Sequence, residues 1–258
     1  MQMRMSRVLR KIASGGVAGC VKLNLADPRV VEIAAQSGID SVWIDMEHVP
    51  TDWATVENCV RTAKNYDTDV MVRVAKGSYS DLIRPFEADA TGIMVPHVMS
   101  LQEAEYTVRM TKFHPIGRRP IDGGNQDAAY CRIGMADYIE QANRERFVCY
   151  QIEDPEALSD LERIAALPGV DMVHFGPGDY SQAIGAPGDM SHPEIARVRK
   201  LIADVCRKNS KIAATVAGPG AVKEIAEMGY RYISVGADVV GLTSYFDNVA
   251  SIFSEGLS

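Results

Sequence analysis

Residues 147–181 read FVCYQIEDPEALSDLERIAALPGVDMVHFGPGDYS, and this stretch decides the fold. The run 147–152 is mostly apolar, with aromatic and β-branched residues, which favours a buried strand. Residues 155–167 carry apolar side chains at helical spacing, and a Pro-Gly pair ends that pattern. A second short strand is predicted over residues 170–175. The stretch is therefore predicted to form a strand–helix–strand unit.

Each of these two strands runs into a carboxylate. Glu153 follows the first strand, and Asp179 follows the second after the polar turn formed by residues 176–178. Because parallel strands joined by a helix end at the same edge of a sheet, we expect the two carboxylates to lie close together. Hard oxygen ligands suit Mg²⁺ or Mn²⁺, with Co²⁺ or another divalent ion as the alternative. In the simpler interpretation, Glu153 caps the next helix and Asp179 is an ordinary turn residue.

The rest of the chain repeats this alternation of strands and helices. Eight strands are predicted, over residues 17–25, 41–46, 69–74, 91–96, 147–152, 170–175, 211–217 and 232–235. Helices are predicted after Asp27 and over residues 53–64, 79–88 with an interruption at Pro85, 101–110, 136–142, 155–167, 193–208, 220–228 and 237–253. Eight such units in about 250 residues are typical of a single (β/α)₈ barrel domain over residues 1–258, with a doubly wound open sheet as the alternative.

Composition excludes several classes of protein. The 258 residues are 47% hydrophobic and 24% charged, which fits one large domain with a full core. A net charge of −7 without a Lys/Arg run argues against a nucleic-acid partner, and no stretch has the length of a membrane span. The five cysteines are scattered and form no CxxC pair, so we expect no zinc site or disulfide framework, and a reduced cytoplasm is the simplest setting.

In a barrel of this type the site forms where the strands end and the following loops begin. Those positions include His48 and the nearby Asp45, which can orient the imidazole if both face the site. Arg73 lies on an apolar strand and needs an anionic partner, either a structural acid such as Glu87 or a substrate carboxylate. The other histidines are interpreted as structural, and the cysteines lack a paired base.

Three long blocks and one short block resemble the HpcH/HpaI aldolase family, the metal-dependent class II pyruvate aldolases. The long blocks are SVWIDMEHVPTD at 41–52, VRVAKGSYSDLIRPFEADATGIMVPHV at 72–98 and YQIEDPEALSDLERIAALPGVDMVHFGPGDYSQAIGAPGDMSHPEI at 150–195. The short block is VGADVVGL at 235–242. Together they cover most of the chain in the order found in the family.

The resemblance implies a role for each matching residue. Glu153 and Asp179 match the metal ligands, His48 the catalytic base with Asp45 beside it, and Arg73 the residue that binds pyruvate and stabilises its enolate. The positions that match substrate-binding residues are Gln151, Gly176, Pro177, Gly178, Arg119 and Glu87, the last of which a neighbouring subunit can contribute. The resemblance also implies a homohexamer, arranged as a trimer of dimers, in which the last helix is exchanged between partners.

The sequence departs from the family pattern at several points on the rim. Pro120 stands where the loop usually has glycine, and the first strand lacks the frequent Gly-x-Trp. His174 occupies an expected apolar position, and Met46 stands where glycine is common. We therefore expect these changes to affect the choice of substrate more than the class of reaction.

The reaction implied is the reversible cleavage of a 4-hydroxy-2-oxo acid into pyruvate and an aldehyde. A Schiff-base aldolase is the less favoured mechanism, because no lysine is expected at a strand end of this rim, and Lys22 and Lys76 are only the nearest candidates. Two further alternatives stay open, namely an acyl-CoA lyase resembling the citrate lyase β-subunit, with Arg118 and Arg119 near the CoA, and a non-catalytic barrel that binds an oxo acid.

Overall fold

Eight parallel strands pair in chain order and close into a barrel, with the first strand beside the eighth. The structure is a computed structural model and describes residues 1–256. The strands are β1 Ala18–Leu23, β2 Ser41–Asp45, β3 Asp69–Arg73, β4 Gly92–Val95, β5 Phe147–Ile152, β6 Met172–Phe175, β7 Ile212–Ala217 and β8 Tyr230–Ala237. The predicted (β/α)₈ barrel is confirmed, and the open sheet is excluded because β1 and β8 are paired.

The helices surround this barrel. They are α1 Arg7–Ala13, α2 Pro28–Gln36, α3 Trp53–Lys64, α4 Tyr79–Glu87, α5 Leu101–Thr111, α6 Met135–Glu145, α7 Leu161–Ala166, α8 Pro177–Ala183, α9 Pro193–Lys208, α10 Val222–Met228 and α11 Asp238–Gly256. Short 3₁₀ turns lie at Gln126–Ala128, Pro155–Ser159 and Pro219–Ala221. Among the described residues, no helix is both long and apolar enough to cross a membrane.

Alternation along each strand separates two cores. One set of side chains packs outward against the helices, and the other fills the barrel interior. The interior layer consists of Val8, Ala18, Cys20, Trp43, Met71, Met94, Phe147, Cys149, Met172, Ala214 and Tyr232. Val8 belongs to α1, whose N-cap Ser6 also donates to Asp69 at 2.6 Å, so this helix closes the amino-terminal end of the barrel.

Some predicted elements differ from the structure. Pro85 does not interrupt α4. Proline removes one backbone hydrogen bond, but burial of Ile83 and Phe86 stabilises the last turn of the helix and compensates for this loss. The predicted helix 155–167 is divided into a 3₁₀ turn and α7. The predicted turn after β6 is instead the start of α8, with Gly176 as N-cap and Pro177 in the first turn.

Candidate active site

A pocket of about 240 Å³ opens at the carboxyl-terminal end of the barrel. Its lining consists of inward-facing strand residues and the first turn of α8, namely Lys22, Trp43, Arg73, Gln151, His174, Gly176, Pro177, Gly178, Asp179, Val216, Ser234 and Gly236. Several of these residues stand two positions after a member of the interior layer on the same strand, as Arg73 stands after Met71. The side chains that line the pocket therefore form the next layer of the barrel interior, toward its carboxyl-terminal end. The sequence-predicted Arg73, Gln151, Gly176, Pro177, Gly178 and Asp179 are therefore brought together.

Arg73 is held by an ion pair with the neighbouring strand. β2 and β3 pair with Asp45 opposite Arg73, and the guanidinium donates from Nε at 3.0 Å and from Nη2 at 2.6 Å to the two carboxylate oxygens. Lys22 Nζ lies 2.9 Å from the same carboxylate. Burial alone would raise the pKa of Asp45, but hydrogen bonds from Arg73 and Lys22 hold it well below the usual range. Asp45 therefore stays ionised.

This pairing corrects two expectations. Asp45 does not contact the imidazole of His48, because both of its oxygens are turned to Arg73 and Lys22 and one also accepts from the backbone N–H of Glu47. Glu87 is not the partner of Arg73, since Asp45 and Glu47 occupy that position.

Glu47 connects three basic side chains at the mouth of the pocket. Its Oε2 lies 3.0 Å from Arg73 Nη1 and 3.5 Å from His48 Nε2, and its Oε1 lies 3.7 Å from His97 Nε2. His48 itself is exposed and does not line the pocket. Glu47, to which the sequence assigned no role, therefore lies between the predicted base and Arg73.

The two predicted metal ligands lie at the same edge of the barrel. Glu153 is buried, accepts from Gln151 Nε2, and approaches Gly176 so closely that a Cβ there would lie 2.6 Å from Glu153 Oε2. Burial raises the pKa of Glu153 to about 7, and the carboxylates of Asp179 and Glu47 add to the rise. Glycine is therefore required at position 176 for this close approach.

His97, interpreted from the sequence as structural, also belongs to this edge. Its backbone N–H donates to Glu153 Oε1 at 3.0 Å, and its Nδ1 lies 2.9 Å from Asp154 Oδ2. Partial burial disfavours protonation, but the hydrogen bond to Asp154 and the charge of Glu153 outweigh it and raise the pKa of His97. His97 holds its backbone at a positive φ of 48°, which turns its N–H toward the carboxylate.

The donor set fits a divalent cation. Mutual repulsion between Glu153, Asp179 and Glu47 is relieved when a cation is bound, and carboxylate oxygens are ligands that Mg²⁺ and Mn²⁺ prefer. Within residues 1–256, no three His, Cys, Asp or Glu side chains form a ready-made metal cluster. An ion held here would therefore take its remaining ligands from water and substrate.

Arg119 and Glu87 do not line this pocket within the single chain, and their substrate-binding roles stay predictions. Arg119 is buried, donates to Asp127 at 3.0 Å and stacks on Phe113. Its positive charge is therefore neutralised by a carboxylate of the same loop. Glu87 lines a separate surface cavity of about 350 Å³ with Trp53 and other residues of α3, α4 and the loop. The pKa of Glu87 is raised chiefly by burial.

His174 gives the pocket a pH-dependent contribution to stability. Burial lowers its pKa to about 3, with a smaller effect from the charge of Arg73, so the folded ring is neutral. Because the unfolded ring takes up a proton below pH 6.5, this group destabilises the fold as pH falls from 6.5 toward 3. We expect the wild type to lose about 2 kcal/mol relative to His174→Phe between pH 6.5 and 5.

Urea unfolding of both proteins at the two pH values measures this difference. A gap between the two free energies of unfolding that does not change with pH would mean that the folded and unfolded rings take up protons equally, so that burial does not lower the pKa of His174.

The sequence profile of the HpcH/HpaI aldolase/citrate lyase family matches residues 21–244. A hydroxypyruvate/pyruvate aldolase from Pseudomonas aeruginosa is 28% identical over 99% of this chain and 96% of its own length. A 2-keto-3-deoxy-L-rhamnonate aldolase from Klebsiella pneumoniae is 30% identical over 87% of this chain and 84% of its own length.

The structural comparison agrees with the sequence matches. The crystal structure of an HpcH/HpaI aldolase from Desulfitobacterium hafniense superposes with a TM-score of 0.91 at 27% identity, covering 97% of this chain and 98% of the other. A citrate lyase from Burkholderia xenovorans and a citrate lyase β-subunit from Mycobacterium tuberculosis are 17% and 18% identical, and this likeness shows the fold alone.

Proposed function

The chain belongs to the HpcH/HpaI aldolase/citrate lyase family, and we propose that it is a divalent-metal-dependent aldolase cleaving a 4-hydroxy-2-oxo acid into a 2-oxo acid and an aldehyde. The observation that carries the proposal is the pocket in which Arg73, Gln151 and Asp179 converge beside Glu153. Carbon–carbon cleavage of such a substrate leaves an enolate, and this pocket combines a fixed guanidinium with a carboxylate pair suited to a cation.

Glu153 and Asp179 would hold Mg²⁺ or Mn²⁺, which supplies Lewis-acid polarisation of the keto oxygen when bound. Arg73 faces the same pocket, and its guanidinium hydrogens not used by Asp45 and Glu47 are available to the carboxylate and enolate oxygens of the 2-oxo acid. Asp45 holds the guanidinium in place, so the donor is oriented before the substrate arrives.

His48 is the proposed base for the 4-hydroxyl group, and Glu47 is its positioning residue. The imidazole lies at the open mouth, where the aldehyde part of the substrate enters, with Nε2 directed to Glu47 at 3.5 Å. A proton taken from the hydroxyl by His48 leaves the oxygen electrons free to form the aldehyde carbonyl as the carbon–carbon bond breaks.

We expect His48→Ala to slow aldol cleavage by about 10²-fold or more, as for loss of a general base. Exchange of the C3 protons of pyruvate should fall far less, because His48 stands at the mouth and not beside Arg73. Parallel measurement of cleavage by coupled assay and of exchange by NMR separates the two steps. Equal loss of both would instead make His48 an organiser of the whole site.

The proposed function is tested by a coupled assay in which lactate dehydrogenase reduces the released 2-oxo acid. A panel of 4-hydroxy-2-oxo acids is measured with Mg²⁺ and with chelator. Metal-dependent formation of the 2-oxo acid supports the aldolase. Turnover of an acyl-CoA thioester alone would favour the citrate lyase type, and binding without turnover would indicate a non-catalytic barrel.

We also propose that the protein is a homohexamer whose subunits contact one another through α11. This helix exposes a row of large apolar side chains within the single chain, namely Val240, Leu242, Tyr245, Phe246, Ile252 and Phe253. A helix that exposes this many large apolar side chains is typical of an interface with another subunit.

Phe246→Glu is expected to shift the assembly to smaller species, because it places a charge in the apolar interface. Asn248→Glu, on an exposed polar position of the same helix, is the matched control and should leave the mass unchanged. Light scattering after gel filtration measures both, and an unaltered mass for Phe246→Glu would remove α11 from the interface.

A further inference from the structure

Lys22 is a lysine of the first strand that faces the pocket. It lies two positions after the interior residue Cys20 and stands opposite Trp43 in the pairing of β1 with β2. Its Nζ is 2.9 Å from Asp45 Oδ2 and 5.3 Å from the centroid of the Trp43 ring. The side chain is 22% exposed, so water shields its charge only in part. The proposed reaction uses Arg73 and gives no role to this second cation.

The charges around Arg73 explain why a second cation stands here. Arg73 pairs with two carboxylates, since Asp45 lies 2.6 Å from its Nη2 and Glu47 lies 3.0 Å from its Nη1. Two carboxylates and one guanidinium leave one negative charge in excess, and Lys22 cancels that excess. Without Lys22, this wall of the pocket would repel an anionic substrate.

The ammonium group is fixed in place and still faces the pocket. It has three N–H donors, and within residues 1–256 its ion pair is with Asp45. The guanidinium of Arg73 also lies over the ring of Trp43, at 4.8 Å, so both cations are held against the same aromatic side chain. Groups on β2 therefore orient Lys22 while it remains part of the pocket lining.

We propose that Lys22 supplies the positive charge that makes this pocket favour the enolate of a 2-oxo acid over the oxo acid itself. The inference rests on the proposed function, in which cleavage leaves an enolate. A 2-oxo acid carries one negative charge, on its carboxylate, and its enolate carries a second one on oxygen. A fixed cation stabilises the second charge as it develops and has a smaller effect on the initial state.

Two probes of nearly the same size separate these charge states. Oxalate carries two negative charges and resembles the enolate, whereas oxamate carries one and resembles the oxo acid. Calorimetric titration of the protein in excess Mg²⁺ gives the ratio of the two affinities. Lys22→Met keeps a stem of similar length and loses the charge, so we expect it to lower the oxalate-to-oxamate ratio by about 10-fold or more.

Lys22→Arg restores a positive charge and should stay within about threefold of the wild-type ratio. Lys11→Met is the matched control. Lys11 lies 2.6 Å from Asp40, a carboxylate that Arg7 shares, but it belongs to α1 and does not line the pocket. This control should keep the wild-type ratio.

An unchanged ratio in folded Lys22→Met, including an equal fall of both affinities, overturns the inference and leaves the proposed aldolase standing. The same fall of the ratio in Lys11→Met also overturns the inference, because the effect would then not depend on the pocket. Wild-type protein that binds neither probe overturns the proposed function as well. If Lys22→Met does not fold, Lys22→Gln removes the same charge, keeps a donor for Asp45 and is judged in the same way.

Discussion

Replacing Arg73 with lysine is expected to lower kcat/KM by about 10²- to 10³-fold while the barrel stays folded, equivalent to about 3–4 kcal/mol of transition-state stabilisation. The guanidinium is 4% exposed in its side chain and forms a two-point pair with Asp45 while facing the pocket. A lysine keeps the positive charge but cannot bond two oxygens in this fixed geometry. Lys22 continues to neutralise Asp45 in the variant, which limits the loss of stability.

Steady-state kinetics and a thermal melt on the same preparation check this result. Arg84→Lys is the matched control. Arg73 lies over the ring of Trp43 at 4.8 Å, and Arg84 lies over the ring of Trp53 at 5.5 Å but does not line the pocket. Near-normal kinetics of Arg73→Lys with a lowered melting temperature would mean that the Arg73–Asp45 pair is structural only.

Loss of either predicted metal ligand is expected to have an effect at least as large. Asp179→Ala and Glu153→Gln should each lower metal-dependent activity by about 10³-fold or more, because the cation supplies several kcal/mol of charge stabilisation. Glu153→Gln retains an oxygen for the N–H of His97 and removes only the charge. Both variants should remain folded.

Calorimetric titration with Mn²⁺ gives the corresponding binding result. Wild-type protein and Glu156→Ala, a control on an exposed residue of the following 3₁₀ turn, should bind one ion per subunit, and the two site variants should bind it far more weakly. Full activity of either site variant after chelation and re-addition of Mg²⁺ would contradict the assignment.

The fold could be predicted because local patterns and the global topology agree. Each apolar strand is followed by a helix that buries one face, and only a closed or doubly wound sheet satisfies eight such repeats. The prediction failed at Pro85, where packing of Ile83 and Phe86 outweighs the missing N–H. It also failed at residues 177–183, where Pro177 starts a helix after a glycine that resembles a turn.

Position along the chain predicts a place in the candidate site for residues that end a strand or closely follow one, as Arg73, Glu153 and Asp179 do. Gln151, which lies inside β5, was predicted from the family resemblance alone. Lys22 and Ser234, which also line the pocket, were missed as site residues because they lie inside their strands. The in-and-out alternation of side chains along a strand could have identified them. Lys22 stands two positions after Cys20, and Ser234 two positions after Tyr232, and both of those residues face the barrel interior.

The path of the long loop at residues 111–134 could not be predicted from the sequence. Arg119 lies in a stretch of Gly, Pro and Arg that predicts an exposed, functional segment, yet the loop folds back so that Arg119 pairs with Asp127 and packs on aromatic rings. The pairing of Asp45 with Arg73 rather than with His48 likewise depends on the register of β2 against β3, which only the structure provides.

Formation of a 2-oxo acid enolate with the help of a divalent cation is the step that distinguishes this site from one that only binds an oxo acid. Proton NMR in D₂O follows this step through the C3 protons of pyruvate, in the presence of the protein and without any aldehyde. We expect Mg²⁺ or Mn²⁺ to promote exchange of these protons for deuterium, chelator to stop the exchange, and Arg73→Lys to slow it by about 10²-fold or more. Undiminished exchange in chelator, or no exchange with any divalent ion, would show that the site does not form the enolate in this way.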